Sequence, residues 1–225
     1  SNDAYLVLGD ADIETAVKFS TMGRLYNNGQ TCISAKRFIV TDAAYDAFTE
    51  AFVDQMSQIP LGDPMEKQTK LGPLSSQDQF DTVKEQVEKS VAKGATLLCG
   101  GEAPDRAGAW YPATVLGDVK PGMPAYDDEI FGPVASVIRA KDDADAMRLA
   151  NDSRYGLGGG IFSQDQDRAI ELARTEFDTG MIRINSFGAA DPNMPFGGVK
   201  DSGYGREHGG FGMKEFVNAK AVFLP

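Results

Sequence analysis

The 225 residues suffice for one large domain or two small ones, and for a core that needs no disulfide or metal staples. With 42% apolar and 24% charged residues the composition is that of an ordinary globular protein, which excludes disordered, collagen-like and coiled-coil classes. Twenty-two Lys and Arg stand against 33 Asp and Glu; the formal net charge of -11 repels phosphate backbones, so nucleic acid is not an expected partner.

In chain order, Ala4 to Leu8 reads as a buried strand, and Asp10 and Asp12 offer N-caps for an amphipathic helix ending near Asn27-Asn28-Gly29. Arg37 to Val40 is the next strand. The helix after it carries Tyr45, Phe48, Phe52, Met56 and Ile59 on one face and stops at Pro60. Ser75-Ser76 precede a helix with Phe80, Val83, Val87 and Val91 aligned, closed by Gly94 before a short strand at Thr96 to Cys99. Strands at Val134 to Ile138, Gly160 to Phe162 and Met181 to Ile184 then alternate with helices at Asp142 to Ala150 and Gln166 to Arg174. Strands separated by helices predict an α/β fold, a mostly parallel twisted sheet with helices on both faces. From Asn185 to Gly212 periodicity disappears, and the aromatic residues there favour a functional loop over a linker. Glu215 to Leu224 reads as a terminal strand whose partner is another chain.

No run approaches the roughly 18 apolar residues of a membrane span. The acidic opening Ser1-Asn2-Asp3 is no signal peptide, so no membrane partner and a cytoplasmic location are the expectations.

Two cysteines and one histidine give neither a disulfide framework nor a zinc set, so no metal is expected. Cys32 lies between the first helix and the second strand, a place where a thiol can be both exposed and held. Lys36 and Arg37 follow closely, and positive charge beside a thiol lowers its pKa from about 8.5 toward a reactive thiolate. The competing reading is an inert buried thiol. Cys99, inside an apolar strand, reads as packing. Glu129 closes the acidic run Asp127-Asp128-Glu129, by itself a solvated loop. The glycines of Gly156 to Gly160 lead into a strand, and those at Gly197-Gly198 lack a following Lys-Ser or Lys-Thr, so neither is a phosphate loop.

Three segments together resemble the aldehyde dehydrogenase superfamily: Asn27 to Cys32 with Arg37 following, Glu129-Ile130-Phe131-Gly132-Pro133-Val134, and Pro195-Phe196-Gly197-Gly198 through Glu207. The resemblance covers essentially the whole chain. It implies that Cys32 attacks an aldehyde carbonyl, that the cofactor is NAD or NADP, that Glu129 holds the nicotinamide ribose and that Phe131 lies against the nicotinamide. It places Phe196 in the substrate tunnel, with Asn28, Asn185 and Phe187 also lining it. The terminal strand resembles one that pairs with another subunit, which implies a homo-oligomer. The Cys32 to Val40 stretch is most similar to succinate-semialdehyde dehydrogenases, a small aldehyde being the expected substrate.

The pattern also departs from the family. Tyr26 stands where many such enzymes have a carboxylate-binding arginine, leaving Arg183 or a residue outside this chain for that task, and Ser34 replaces a redox-switch cysteine. Family members carry a dinucleotide-binding domain and a Glu-Leu-Gly-Gly general-base motif ahead of the first strand seen here. Residues 1–214 are therefore expected to be the catalytic domain of a longer enzyme, inactive alone, with 215–225 as the oligomerisation strand. The rival expectations are a CoA-acylating relative and a non-catalytic oligomerising body.

Overall fold

A computed structural model describes residues 1–225. The chain runs β1 (Ala4–Val7), α1 (Ile13–Leu25), β2 (Arg37–Thr41), α2 (Asp42–Ser57), α3 (Gln77–Ala92), β3 (Thr96–Cys99), β4 (Thr114–Gly117), α4 (Pro124–Asp127), β5 (Val134–Ala140), α5 (Asp143–Asn151), β6 (Tyr155–Gly156), β7 (Gly158–Phe162), α6 (Gln166–Thr175), β8 (Met181–Ile184), β9 (Val199–Lys200) and α7 (Gly209–Gly212). Side chains set the helix starts: the carboxylates of Asp12, Asp142 and Asp165 and the hydroxyl of Ser76 each accept the backbone N–H three residues on.

Seven strands form one sheet in the order β3-β4-β5-β2-β1-β7-β8, parallel throughout except for β3, which pairs antiparallel with β4. Central strands bury both faces, so β2 is apolar at consecutive positions Phe38-Ile39-Val40 and fully buried. Because side chains alternate across a strand, Leu6, Ile39, Ile138 and Ile161 join the core on one face, and Tyr5, Val7, Phe38 and Val40 that on the other. On the second face α2 contributes Phe48 and Phe52, whose rings lie 5.2 Å apart, with Phe52 4.9 Å from Phe38. The glycine run Gly158-Gly159-Gly160 is itself part of β7. A Cβ at Gly160 would strike the Tyr5 ring, so the bare backbone is what lets that ring lie across the strand.

Five elements have no counterpart in the sequence reading: β4, α4, β6, β9 and α7. They are two to four residues long, too short to show a period, and their pairing is what defines them. The expected terminal strand at Glu215 to Leu224 does not form within this chain. Met213–Phe216 is a 3₁₀ turn, and Val217 to Pro225 has no regular structure and is exposed. A strand exists only with a partner edge, and within one copy the segment pairs with none.

Candidate active site

The parallel strands set the geography. β1, β2, β5, β7 and β8 start from the same side of the sheet, so Ser1 to Asp3, Thr31 to Lys36, Glu129 to Pro133 and Gly180 gather at their amino ends. Open α/β sheets usually bind ligands at the carboxyl ends; here the chemistry-bearing segments lie at the opposite edge.

The turn carrying Cys32 is made by breaking α1. Asn27 (φ 51°) and Asn28 (φ 56°) take left-handed conformations that Asn tolerates, and Gly29 follows at φ 74°. A Cβ on Gly29 would collide with the carbonyl of Gly132, which is how closely the thiol turn packs on the Glu129-to-Pro133 segment. Arg24, fully buried, joins them: its guanidinium donates to the Gly29 carbonyl (2.7 Å) and the Val134 carbonyl (3.2 Å). The Ser34 N–H closes the turn on the Thr31 carbonyl (3.1 Å), and Cys32 is exposed at its tip. The Cys32 N–H has no acceptor within the protein.

Lys36 and Arg37 both spend their donors largely on backbone carbonyls. The buried Lys36 ammonium donates to the carbonyls of Thr31 (3.3 Å), Cys32 (3.0 Å) and Ser34 (3.0 Å) and pairs with the Glu129 carboxylate (3.2 Å). Arg37 turns away to the carbonyls of Asn2, Leu149 and Ala150. Buried cations must be met by acceptors, and backbone carbonyls take both. Burial pulls the Lys36 ammonium below the ordinary lysine range; Asp3 opposes that, Arg24 adds to it and Glu129 opposes it again. Burial likewise raises the Asp3 carboxyl, against Lys36, the Ser1 hydroxyl and the Gly158 N–H.

Glu129 is held from behind by α3. Gln79 donates to the Phe131 carbonyl (2.9 Å) and Gln86, two turns on, to the Glu129 carbonyl (3.3 Å). The Glu129 side chain keeps 25% of its surface exposed and also meets the Ser1 amino group at 2.8 Å. Its Oε1 is the buried oxygen that faces Lys36, and Oε2 is the one that faces the Ser1 amino group.

Phe196 lines a cavity of about 270 Å³ with Tyr5, Ile33, Arg183, Asp191 and Met194. Ile33 is the neighbour of Cys32, so the cavity adjoins the thiol turn. The Arg183 guanidinium donates to the Ala189 carbonyl (2.5 Å) and borders the cavity. The other expected lining residues sit elsewhere. Phe187 is buried against Tyr26 (5.8 Å between rings) and Tyr5 (6.4 Å), beneath the end of α1. The Asn28 amide is bound to the loop below α3, donating to the Pro73 carbonyl (3.0 Å) and accepting from the Gly72 N–H (3.3 Å). Asn185 lies at the carboxyl ends of the strands, accepting from the Ser163 N–H (2.9 Å) and donating to its carbonyl (2.7 Å). Cys99 is half-buried in the edge strand β3, where burial pushes its thiol up.

The fold and site define a doubly wound α/β body presenting one exposed cysteine beside a carboxylate and an aromatic-lined cavity. The signature of the Aldehyde dehydrogenase family matches residues 1–222, and the chain belongs to that family. It is 47% identical over 221 residues to the NADP(+) succinate-semialdehyde dehydrogenase of Deinococcus radiodurans, covering 98% of this chain and 46% of that protein. It is 46% identical over 222 residues to an NAD(P)+ succinate semialdehyde dehydrogenase of Escherichia coli, covering 99% of this chain and 48% of that protein. Among solved structures, succinic semialdehyde dehydrogenase from Streptococcus pyogenes in complex with NADP+ superimposes with a TM-score of 0.95 at 42% identity, covering 100% of this chain and 49% of that one. The chain thus spans about half the length of the curated relatives it matches.

Proposed function

We propose that this chain is the thiol-bearing catalytic part of an NAD(P)-dependent aldehyde dehydrogenase that oxidises succinate semialdehyde or a similar small aldehyde. The observation that carries the reading is the exposed Cys32, with an unpaired backbone N–H, fixed by Lys36 beside Glu129.

The Cys32 thiolate adds to the aldehyde carbonyl, and the new oxyanion lies where the Cys32 N–H can donate to it. Carbon–hydrogen cleavage then leaves an acyl thioester on Cys32, which water hydrolyses to the carboxylic acid. NAD(P)+, when bound, would supply the acceptor for the hydride that this cleavage releases. The residues present fit its nicotinamide end: Glu129 would offer a partly open carboxylate to ribose hydroxyls, and Phe131 follows it on the same strand entry. No glycine-rich loop of this chain leads from a strand into a helix, so the pyrophosphate would be held by residues outside it.

A second copy of the chain is the proposed partner. The segment from Phe216 to Leu224 exposes Phe216, Val222, Phe223 and Leu224, and β8 is a free sheet edge to which such a segment can add. A cytoplasmic setting belongs to the same reading; no helix is long and apolar enough to cross a membrane.

A chimera tests the function. The part of the E. coli relative that precedes its matching segment is joined to Ser1, and reduced cofactor is followed with succinate semialdehyde. The expected result is steady turnover in the chimera and none from this chain alone; turnover by this chain alone, or an inert well-folded chimera, contradicts the reading. In the same chimera Arg183→Met should raise the KM for succinate semialdehyde about tenfold or more, the scale of a lost charge-assisted contact, while leaving butyraldehyde unaffected. Equal effects on both aldehydes would remove Arg183 from substrate recognition.

A further inference from the structure

None of the steps above uses Lys36, yet this side chain has the densest set of polar contacts at the site. Its side chain is 3% exposed, and its ammonium, with three N–H donors, faces four acceptors: the carbonyls of Thr31, Cys32 and Ser34 and one oxygen of Glu129. The chain has no cis peptide bond, so in each peptide unit the C=O and the following N–H point in opposite directions. Drawing the Thr31 carbonyl inward onto the ammonium turns the Cys32 N–H outward. Drawing the Cys32 carbonyl inward does the same to the N–H of Ile33, whose side chain lines the cavity. Neither N–H has a protein acceptor.

We propose that Lys36 is a positioning residue that aims the Cys32 N–H toward the bound aldehyde and couples the thiol turn to Glu129. The inference rests on the aldehyde dehydrogenase reading of those two residues. One cation grips the nucleophile's backbone and the carboxylate that faces the ribose, so a displacement of either is felt by the other. An uncharged side chain of the same length cannot do this: three carbonyls would lose a shared donor and Glu129 would lose its tether.

The test is a double-mutant cycle read on the thiol. Second-order rates of Cys32 alkylation by iodoacetamide are measured in this chain for the unaltered protein, Glu129→Gln, Lys36→Met and the pair. The expected result is a change of about threefold or more on Glu129→Gln when Lys36 is present, and almost none in the Lys36→Met background, as for residues sharing one polar network. In the chimera, Lys36→Met should lower kcat with the aldehyde KM unchanged within about twofold. Rates that multiply independently in the cycle overturn the proposal. Should Lys36→Met fail to fold, Glu129→Gln alone still decides: an unchanged Cys32 rate overturns it. Alkylation needs neither aldehyde nor cofactor, so coupling in a chimera without turnover sinks the functional reading alone, and turnover without coupling sinks this one alone.

Discussion

Replacing Cys32 by Ala in the chimera is expected to abolish aldehyde oxidation, a loss of at least about a thousandfold, the scale seen when a covalent nucleophile is removed. The change should leave the fold alone. Lys36 grips the carbonyl of residue 32 and not its side chain, and the thiol is exposed, so stability should move by no more than about 0.5 kcal/mol. Urea unfolding beside steady-state turnover checks both halves. Residual oxidation above a hundredth of the unaltered rate in a normally folded protein would mean that another group attacks the substrate.

The largest expected stability effect is at Arg24. Its side chain is fully buried and joins the Gly29 carbonyl to that of Val134, 110 residues beyond Arg24; burial lowers its pKa and Glu129 and Asp3 oppose that. Arg24→Ala removes the donor from two buried carbonyls and opens a cavity, for a cost of about 3–5 kcal/mol. Arg148→Ala is the control, because Arg148 is mostly exposed and pairs only with Asp145 one helical turn away; that loss should stay within about 0.5 kcal/mol. The comparison is made by urea midpoints at constant slope. Equal losses for the two substitutions would show that Arg24 does not join the thiol turn to β5.

Much of the fold was legible wherever a short-range rule governs it. Asp12, Ser76, Asp142 and Asp165 announce helices by capping, and Met181 to Ile184 announces a strand by its apolar run; the structure has elements at each of these places. β4 escaped because the four buried residues Thr114 to Gly117 show no period, and only pairing with β3 and β5 makes them a strand. The segment Glu215 to Leu224 carries the apolar residues of a strand, but within one copy it pairs with no edge, so its strand form is left to a second copy.

The site divides similarly. Cys32 and Glu129 stand out by residue type and neighbours, and the structure sets them on two sides of one ammonium. The residues that hold them were invisible. Arg24 looks like the last basic residue of an amphipathic helix, and Gln79 and Gln86 look like solvent-facing helix positions; each acquires its task only from a carbonyl far along the chain. Lys36 drew notice for its charge near the thiol; its contacts with three backbone carbonyls and the Glu129 carboxylate come only from the fold. Asn28 and Asn185 have amides taken up by backbone partners, which nothing in their local sequence reveals.

In this chemistry the aldehyde carbon becomes covalently attached to Cys32. That attachment is tested most directly by acid-quenching the chimera during turnover with succinate semialdehyde and NADP+ and mapping the acyl group by mass spectrometry of the tryptic peptides. The account predicts a succinyl group on the peptide Leu25–Lys36, at Cys32, and its absence when NADP+ is omitted. Reduced cofactor accumulating with that peptide unmodified throughout, or with the acyl group on Cys99, would contradict it.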